Sequence, residues 1–541
     1  MSRSTRRAFL ARSLALGIPA LGVPLASCRP DVDLGQEPKP APAGAGTARK
    51  FRGRIVIATI ENPSQAARQS LARAYNKHQP DVEIVWDTTG YVQDDHYADP
   101  DTYATWLTEQ LRAEPIRPDI VSGNYARTFD RYVDLDEYRA QVNPYTGNRW
   151  DADYDFTRSN EVNERGERTL IGSNAGHVLW VYNRDIFSDL DIDPPTTWPE
   201  FVDVCERLQR AQLQPISTSF DYALPTWLGP AYFDQFHDAW IESVRAQPGD
   251  WNWDPELDEK FVHDPTNPRI HATYTFSWQR FYAGLRNGDL RFDTPEMLDL
   301  VTNLAQVFPR YAGPDFFVPG EPYAAFLRGD AAMMVDGLWV LPTLAQDLTE
   351  LSPERSLELG VEPESVQPFE WDVFELLPMQ GVDARTDVRA PEDLAGNLVS
   401  VVDKGPVHNE MVMDFLMFWF SEPGFSAYMQ GEIDAGELYP QGPPLVAGVE
   451  YPADLAELFS GVEPRGVMRA RYADFWLNGA GGRTSRDLRT LFARFLRGEM
   501  SARQYVVRLQ RYVQRNFGRF LQLARLTQDD IDSPARRPAT V

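Results

Sequence analysis

Short apolar runs alternate with amphipathic stretches along the first part of the chain. Runs at 55–58, 82–86 and 118–121 predict short strands, and the first is typical of a buried parallel strand. Between the first two runs, Ala67 and Leu71 recur at helical spacing. Strands that alternate with helices predict an α/β fold with a mostly parallel sheet. In such a sheet, ligands bind at loops that follow the carboxyl ends of the strands.

The same alternation continues along the chain without a detectable internal repeat. Further strands are predicted at 178–182 and 331–335, and a helix begins at Thr197, where a glutamate three residues later completes a capping-box pattern. Segment 411–420 is apolar on nearly every face, which predicts a buried helix. Residues 526–541 are polar and contain proline, and we predict a disordered tail there.

The start of the chain has the pattern of an export signal. Arg6 and Arg7 stand in a twin-arginine motif, an apolar stretch follows at 14–25, and Leu25-Ala26-Ser27-Cys28 resembles the bacterial lipobox. The alternative is an ordinary signal peptide with a chance cysteine. The predicted segments are a Tat-type lipoprotein signal peptide at 1–27, and a lipidated Cys28 with a flexible tether at 28–51.

Length and charge narrow the class of protein. A chain of 541 residues is too long for a single hydrophobic core, so we expect two lobes. The net charge of −26 argues against nucleic acid as a partner, because phosphate binding needs a basic surface. Beyond the signal segment we find no apolar run long enough to span a bilayer, so the lipid is the predicted anchor. The second cysteine, Cys205, shares a helical face with apolar residues and is predicted to be a core thiol.

Motifs for metal binding and catalysis are weak in this sequence. The seven histidines form no ligand pair at helical spacing. Asp151, Asp153 and Asp155 open like a calcium loop, but Phe156 replaces the required glycine and Val162 the closing glutamate. We find neither a nucleophile elbow nor a phosphate-binding loop, and a glycosidase carboxylate pair stays open because sequence does not give its separation. We therefore predict no metal, no cofactor and no catalytic residue.

Aromatic and polar residues near predicted strand ends are the positive signal. Sugars stack their C–H faces on flat rings, while planar polar groups bind their hydroxyls. The tryptophans Trp180, Trp198 and Trp419 are predicted to be core residues. The candidate ligand-binding residues are Glu61, Asn62, Asn124, Tyr125, Asp221, Tyr222, Trp227, Asp336, Trp339 and Trp476.

The order of several short segments resembles a known family. The segments are 118–121, 181–187 (Val-Tyr-Asn-Arg-Asp-Ile-Phe), 195–201 (Pro-Thr-Thr-Trp-Pro-Glu-Phe) and 326–339, from Phe-Leu-Arg-Gly-Asp to Trp339. Together with the lipobox they resemble the family 1 extracellular solute-binding proteins, which are the maltose-binding-protein-like receptors of carbohydrate ABC importers. Segments 228–270 and 440–482 depart from a minimal member of that family.

The resemblance implies a type II periplasmic-binding-protein fold. Two α/β lobes would be joined by a multi-segment hinge, with an interlobe cleft that closes on ligand. It also implies that Trp339, in its Asp-Gly-x-Trp stretch, and Asn124 line the cleft. The implied lobes are 52–174 with 335–415 for lobe 1, and 178–330 with 420–525 for lobe 2.

The function that the resemblance implies is that of a receptor without enzymatic activity. It would capture a sugar or oligosaccharide and deliver it to ABC transporter permease subunits. It would be a monomer that is anchored in the cell membrane through its lipid and faces the periplasm or the extracellular side. The alternatives are a receptor for a polyol or glycerol phosphate, a secreted polysaccharide-acting enzyme, and a surface lipoprotein without a transported ligand.

Overall fold

The computed structural model describes residues 50–61, 63–91, 100–125, 131–158, 167–318, 322–389, 392–460 and 472–538. The predicted signal peptide 1–27 with Arg6 and Arg7, the predicted lipidation site Cys28, nearly all of the tether, and Asn62 lie outside the described residues. Within the described ranges, none of the helices combines the length and the apolar character that a bilayer span needs.

The strands form two separate sheets. The strands are β1 (Gly53–Ala58), β2 (Val82–Trp86), β3 (Ile120–Val121), β4 (Asn174–Asn183), β5 (Gln214–Ser217), β6 (Ala331–Gly337), β7 (Trp371–Phe374), β8 (Glu392–Ala395) and β9 (Ser400–Val401). The first sheet has the order β2-β1-β3-β9, and the second has the order β5-β6-β4-β7 with β8 also paired to β4. The predicted α/β class is therefore confirmed.

The two sheets differ in strand direction. In the first, β1 is parallel to both β2 and β3, with Ile55 opposite Ile84 and Ile57 opposite Ile120, as predicted. In the second, β5 and β6 are parallel but β4 is antiparallel to β6, β7 and β8. The mostly parallel arrangement expected throughout is thus wrong for the second sheet, where the long central β4 runs against three of its neighbours.

Helices cover most of the remaining described chain. They are α1 (Gln65–Asn76), α2 (Pro100–Arg112), α3 (Trp150–Asp153), α4 (Arg184–Asp189), α5 (Trp198–Arg210), α6 (Phe220–Ala223), α7 (Gly229–His237), α8 (Ile241–Val244), α9 (Pro255–Asp258), α10 (Trp278–Asn287), α11 (Pro295–Val307), α12 (Tyr323–Leu327), α13 (Val340–Asp347), α14 (Pro353–Leu359), α15 (Pro406–Trp419), α16 (Glu422–Ala435), α17 (Ala453–Leu458), α18 (Phe475–Asn478), α19 (Gly482–Leu496), α20 (Ala502–Arg515), α21 (Phe517–Leu523) and α22 (Gln528–Asp532). A π-helical turn, Leu224–Leu228, joins α6 to α7.

The chain divides into two compact units, one around each sheet. Unit 1 contains the described residues up to Asp155, Asn397–Tyr439, and those from Pro444 to 460. Unit 2 contains Phe156–Gly396, Pro440–Pro443, and the described residues from 472 onward.

These units correct the predicted lobe boundaries in four places. Residues 335–396 belong to unit 2, not to the first lobe, because β7 and β8 both pair with β4. Residues 156–174 also belong to unit 2. Residues 420–439 belong to unit 1, because Gly431 of α16 lies directly against the backbone of Ala67 in α1. Residues 444–460 also belong to unit 1, where the Leu445 carbonyl accepts from the Asp155 N–H at 2.8 Å.

Local sequence signals for individual elements are confirmed. The Thr197 hydroxyl accepts from the backbone N–H of Glu200 and begins α5. Cys205 on that helix is free and fully buried, and burial raises the pKa of its thiol, as expected of a structural residue. The predicted core tryptophans Trp180, Trp198 and Trp419 are all buried.

Unit 2 contains a buried cluster of charged side chains, here named the Asp234 cluster. One oxygen of Asp234 lies 3.0 Å from Arg385 and 3.2 Å from Arg389, and the other accepts from Tyr472 at 2.6 Å and lies 2.9 Å from His271 Nε2. The cluster joins α7, the loops near 265 and 385–389, and the residues before α18. Its remaining members are Asp238 and His263, which are 2.6 Å apart.

The balance of charge in the Asp234 cluster keeps its carboxylate ionised. Burial by itself would raise the pKa of Asp234, but the charges of His271, Arg389 and Arg385 hold that pKa well below its usual range. The two guanidinium groups in turn depend on the buried carboxylates for their charge compensation.

We expect Asp234→Asn to destabilise unit 2. Because it leaves Arg385 and Arg389 with less buried negative charge, the free energy of unfolding should fall by about 3–5 kcal/mol at pH 7. A depressed carboxyl pKa stabilises the fold above the unfolded-state pKa of about 4, so the deficit should shrink as the pH falls below that value. Urea denaturation at several pH values measures both effects. The control is Asp289→Asn, at an exposed position. Equal stability of the two variants would contradict a stabilising role for the Asp234 carboxylate.

Residues 526–538 of the C-terminal segment are ordered, so the prediction of a disordered tail at 526–541 is wrong for these described residues. Thr527 and Asp530 form a capping box that begins α22, and Asp530 and Ile531 are buried. The Gln279 side-chain amide donates to the carbonyls of Asp530, Ser533 and Arg536.

Removal of residues 527–541 should therefore lower the melting temperature, whereas removal of 539–541 should not. The larger deletion leaves the buried Gln279 amide without its three acceptors, and unpaired buried donors are unfavourable. For a unit of this size each kcal/mol lost lowers the melting temperature by roughly 2–4 °C. Differential scanning calorimetry of both truncated proteins measures the difference. Identical melting temperatures would show that the contact between Gln279 and the C-terminal segment does not stabilise the fold.

Candidate functional site

Three aromatic side chains of unit 2 meet beyond the carboxyl ends of the parallel strands β5 and β6. The Trp227 ring lies 5.6 Å from the Trp339 ring and 4.9 Å from the Tyr222 ring, centroid to centroid. Trp339 and Tyr222 are partly exposed, and Trp227 is buried between them. We name these three residues the Trp339 surface. The structure thus brings together residues that the sequence analysis selected from two separate segments.

Two glycines determine where the Trp339 ring lies. A Cβ atom built on Gly337 would stand 2.2 Å from Trp339 Cη2, and one on Gly176 would stand 2.6 Å from Trp339 Cζ3. Since Gly176 belongs to β4 and Gly337 to β6, the indole lies directly on the backbone of two adjacent strands. Side chains at either position would exclude the ring from this place.

Asp336 supports the Trp339 surface from within the protein. Its Oδ2 accepts from the Tyr222 hydroxyl at 2.9 Å, and its Oδ1 accepts from the backbone N–H of Gly337 at 2.7 Å. The residue is only 2% exposed. The prediction that Asp336 contacts a ligand directly is therefore corrected: it orients Tyr222 instead.

A polar edge borders the aromatic residues. Asp221 is exposed, and its carboxylate lies 3.7 Å from the guanidinium of Arg489 on α19. Arg489 donates to Asn478 Oδ1 at 2.7 Å, and the Asn478 amide donates to the carbonyl of Pro225 at 2.8 Å. This chain of bonds holds the π-helical turn that carries Trp227. Sequence reasoning missed Arg489, Asn478 and Gly176, because each is distant in sequence from the residues it supports.

Trp476 is a core residue, so its prediction as a ligand contact is wrong. It is fully buried, and its indole N–H donates to the carbonyl of Gly229 at 3.3 Å. Its ring stacks on Phe233 with centroids 6.1 Å apart. Its neighbours in the short helix α18, Phe475 and Leu477, are buried in the unit 2 core as well.

In unit 1 the two loops selected from the sequence lie at the same edge of the first sheet. Glu61 follows β1, while Asn124 and Tyr125 form a 3₁₀ turn after β3. The loops are joined by a hydrogen bond from the Ile60 N–H to Ser122 Oγ at 3.2 Å. Asn124 is exposed, and Tyr125 is partly buried.

Glu61 is held in a desolvated setting. Its Oε2 accepts from the backbone N–H of Asn397 at 3.0 Å. Burial raises the pKa of Glu61, and the Asn397 N–H opposes that rise only in part.

The calcium-like segment has another role. The Asp153 carboxylate accepts from Asn143, Thr146 and Asn148 at 2.6–2.9 Å, which closes the preceding turn. In the parts of the chain that the structure describes, no cluster of three or more His, Cys, Asp or Glu side chains is arranged to hold a metal ion.

Comparisons with known proteins agree with this architecture. The family model "Bacterial extracellular solute-binding protein" matches residues 59–350, more than half of the chain. Similar solved structures include a family 1 extracellular solute-binding protein from Bifidobacterium longum subsp. infantis, with 14% identity and a TM-score of 0.52 over 85% of this chain and 98% of that one. A chitin oligosaccharide binding protein has 14% identity and a TM-score of 0.51 over 86% and 99%.

The solute-binding protein RafE in complex with raffinose has 13% identity and a TM-score of 0.50 over 85% of this chain and 99% of that one. No curated protein matches the chain in sequence. Identities at this level show a shared fold.

We expect Gly176→Ala to displace the Trp339 ring. The new Cβ would stand 2.6 Å from the indole, so the ring must shift, at a cost of about 1–3 kcal/mol in stability. Near-ultraviolet circular dichroism should change along with the melting temperature. The matched control is Gly518→Ala on α21, where a Cβ meets open space. Unchanged near-ultraviolet spectra for Gly176→Ala would contradict the packing described here.

Proposed function

Because the chain belongs to the bacterial extracellular solute-binding proteins, we propose that it captures a sugar or oligosaccharide and delivers it to an ABC-type import permease. The observation that carries this proposal is the Trp339 surface, in which a partly exposed indole is fixed on the backbone of two strands beside further aromatic and polar side chains. Among proteins of similar fold, RafE is in complex with raffinose, and another binds chitin oligosaccharide.

The Trp339 surface has the chemistry that a carbohydrate needs. A pyranose presents C–H groups on its faces, and these stack on a flat indole, while its hydroxyls lie in the ring plane. In this proposal Trp339 is the stacking platform, with Trp227 and Tyr222 as its aromatic border. Asp221, exposed and oriented by Arg489, accepts from hydroxyls at the edge.

Four residues of unit 1 remain proposed ligand contacts from the sequence. They are Glu61, Asn62, Asn124 and Tyr125.

We further propose that the protein binds without turnover. The family and the proteins of similar fold are binding proteins. The described residues of the Trp339 surface offer a stacking ring and hydrogen-bonding groups. The buried Asp336 carboxylate behind this surface accepts from the Tyr222 hydroxyl and from the Gly337 N–H.

Export and anchoring belong to the same proposal. The family description is extracellular. Arg6 and Arg7 would direct export, and a lipid on Cys28 would hold a monomeric receptor at the outer side of the cell membrane through the tether at 28–51.

Thermal shift of the soluble domain from residue 50 tests the proposal against raffinose, chitin oligosaccharides, maltotriose and xylotriose, with glycerol and glycerol 3-phosphate as non-carbohydrate probes. A sugar at 100 times its dissociation constant should stabilise the fold by about 2.7 kcal/mol. Trp339→Ala should weaken binding by about tenfold or more, because a stacking ring is the main apolar contact.

The control variant is Trp253→Ala, at a partly exposed tryptophan outside the Trp339 surface. Wild-type affinity in Trp339→Ala, or a shift with glycerol 3-phosphate and none with any sugar, would contradict the proposal.

A further inference from the structure

Basic residues are concentrated in one segment of an otherwise acidic chain. Residues 482–525 contain eleven arginines, no lysine and two acidic residues, so the segment has a net charge of +9 while the rest of the chain has −35. Residues 500–528 contain no acidic residue at all. The segment forms α19, α20 and α21 of unit 2. Since its charge is opposite to that of the rest of the chain, a general compositional preference for arginine does not account for it.

Helix α20 has an apolar side and a basic side. Its apolar side is buried and includes Tyr505, Leu509 and Val513. The exposed residues of the helix are four arginines and two glutamines, namely Arg503, Gln504, Arg508, Arg511, Gln514 and Arg515. The side of α20 that faces solvent is therefore positively charged and carries no exposed apolar side chain.

Four exposed arginines follow one another along α20 and α21. Arg508, Arg511 and Arg515 are neighbours on the surface of α20, because residues three and four positions apart on a helix lie on one side. Arg519 is exposed on α21, the next helix in the chain. We name these four residues the arginine face.

The two acidic residues of the segment are engaged elsewhere. Asp487 accepts from the Tyr512 hydroxyl at 2.9 Å and lies 3.7 Å from the guanidinium of Arg483. Glu499 accepts from Arg494 at 2.6 Å. Neither carboxylate forms an ion pair with the arginine face.

The charge of the arginine face is not compensated within the described part of the chain. None of the described carboxylates forms an ion pair with any of the four guanidinium groups. Like charges one turn apart on a helix repel each other, so this arrangement is unfavourable for α20 by itself. It becomes favourable when an anionic surface outside the chain approaches.

The lack of exposed apolar side chains on α20 indicates the kind of partner. Protein–protein interfaces are usually centred on buried aromatic or aliphatic anchors, and α20 exposes none. An anionic bilayer attracts arginines through its surface potential and requires neither a pocket nor an anchor. The arginine face therefore suits a lipid surface better than it suits an acidic protein.

We propose that the arginine face binds the anionic phospholipid surface of the membrane and orients unit 2 on it. The rest of the chain, with its net charge of −35, is repelled by such a surface, so approach is favourable only where positive charge is concentrated. The inference rests on the proposed function in one respect, namely that the protein is tethered to the outer side of the membrane. A flexible tether of the length of 28–51 spans on the order of 25–30 Å, which keeps the protein close to the bilayer.

Vesicle co-sedimentation of the chain from residue 50, which lacks the lipid and nearly all of the tether, tests the inference. The protein should bind vesicles made of equal parts phosphatidylglycerol and phosphatidylcholine, and it should not bind phosphatidylcholine alone. Binding should weaken as the salt concentration rises to about 0.15 M, where the screening length falls to about 8 Å. Each arginine near an anionic bilayer strengthens binding about fivefold, so Arg508→Gln/Arg511→Gln/Arg515→Gln should bind about a hundredfold more weakly.

The matched control is Arg73→Gln/Lys77→Gln/Arg112→Gln, which removes the same charge from exposed positions of unit 1. It should bind anionic vesicles as the wild type does. The arginine-face variant loses only repulsion between like charges, so its melting temperature should equal or exceed that of the wild type. A lower melting temperature would show that these arginines stabilise the fold and would overturn the inference.

Three other results would also overturn it. They are an equal loss of binding in both triple variants, equal binding to vesicles of phosphatidylcholine alone, and binding to polyglutamate without binding to anionic vesicles. The last result would favour an acidic protein as the partner. The assay contains no sugar, so its failure leaves the proposed sugar receptor intact. Conversely, vesicle binding by a protein that binds no sugar would support the arginine face and refute the sugar receptor.

Discussion

The position of one indole ring depends on the absence of two side chains. Trp339 lies on the backbone of β4 and β6, and it can do so only because Gly176 and Gly337 leave the strand surface bare. Trp227 then packs against that ring, Tyr222 against Trp227, and Asp336 holds Tyr222. A ring that is fixed by its scaffold loses little conformational entropy when a ligand stacks on it, and this favours affinity. The proposed function therefore depends on a packing constraint within the second sheet.

Two acidic side chains, Asp234 and Glu61, show opposite kinds of electrostatic balance. In the Asp234 cluster, the carboxylate is surrounded by guanidinium, imidazole and hydroxyl groups, and its pKa is lowered despite burial. After β1 in unit 1, Glu61 accepts from the Asn397 N–H, and its pKa is raised by burial. The first arrangement stabilises the ionised carboxylate, whereas burial makes ionisation of the second less favourable.

Much of the local structure could be predicted from the sequence, because it is determined by neighbouring residues. The strands near 55–58 and 331–335, the start of α5 at Thr197, and the core position of Cys205 all follow from periodicity and capping. Trp339 could be selected because it follows a strand and a glycine. The boundaries of the two units could not be predicted from the sequence, since they depend on which strands pair with β4. Trp476 and the C-terminal segment were misjudged for the same reason, because contacts with Gly229 and Gln279 come from distant parts of the chain. The hinge and cleft implied by the family resemblance stay predictions.

The central claim is that a sugar ring stacks on Trp339. The most direct measurement is a crystal structure of the protein grown with the sugar that gives the largest thermal shift. We expect a pyranose face in van der Waals contact with the Trp339 indole, with a hydroxyl within hydrogen-bonding distance of Asp221. A sugar bound elsewhere, with the Trp339 indole facing only solvent, would contradict it.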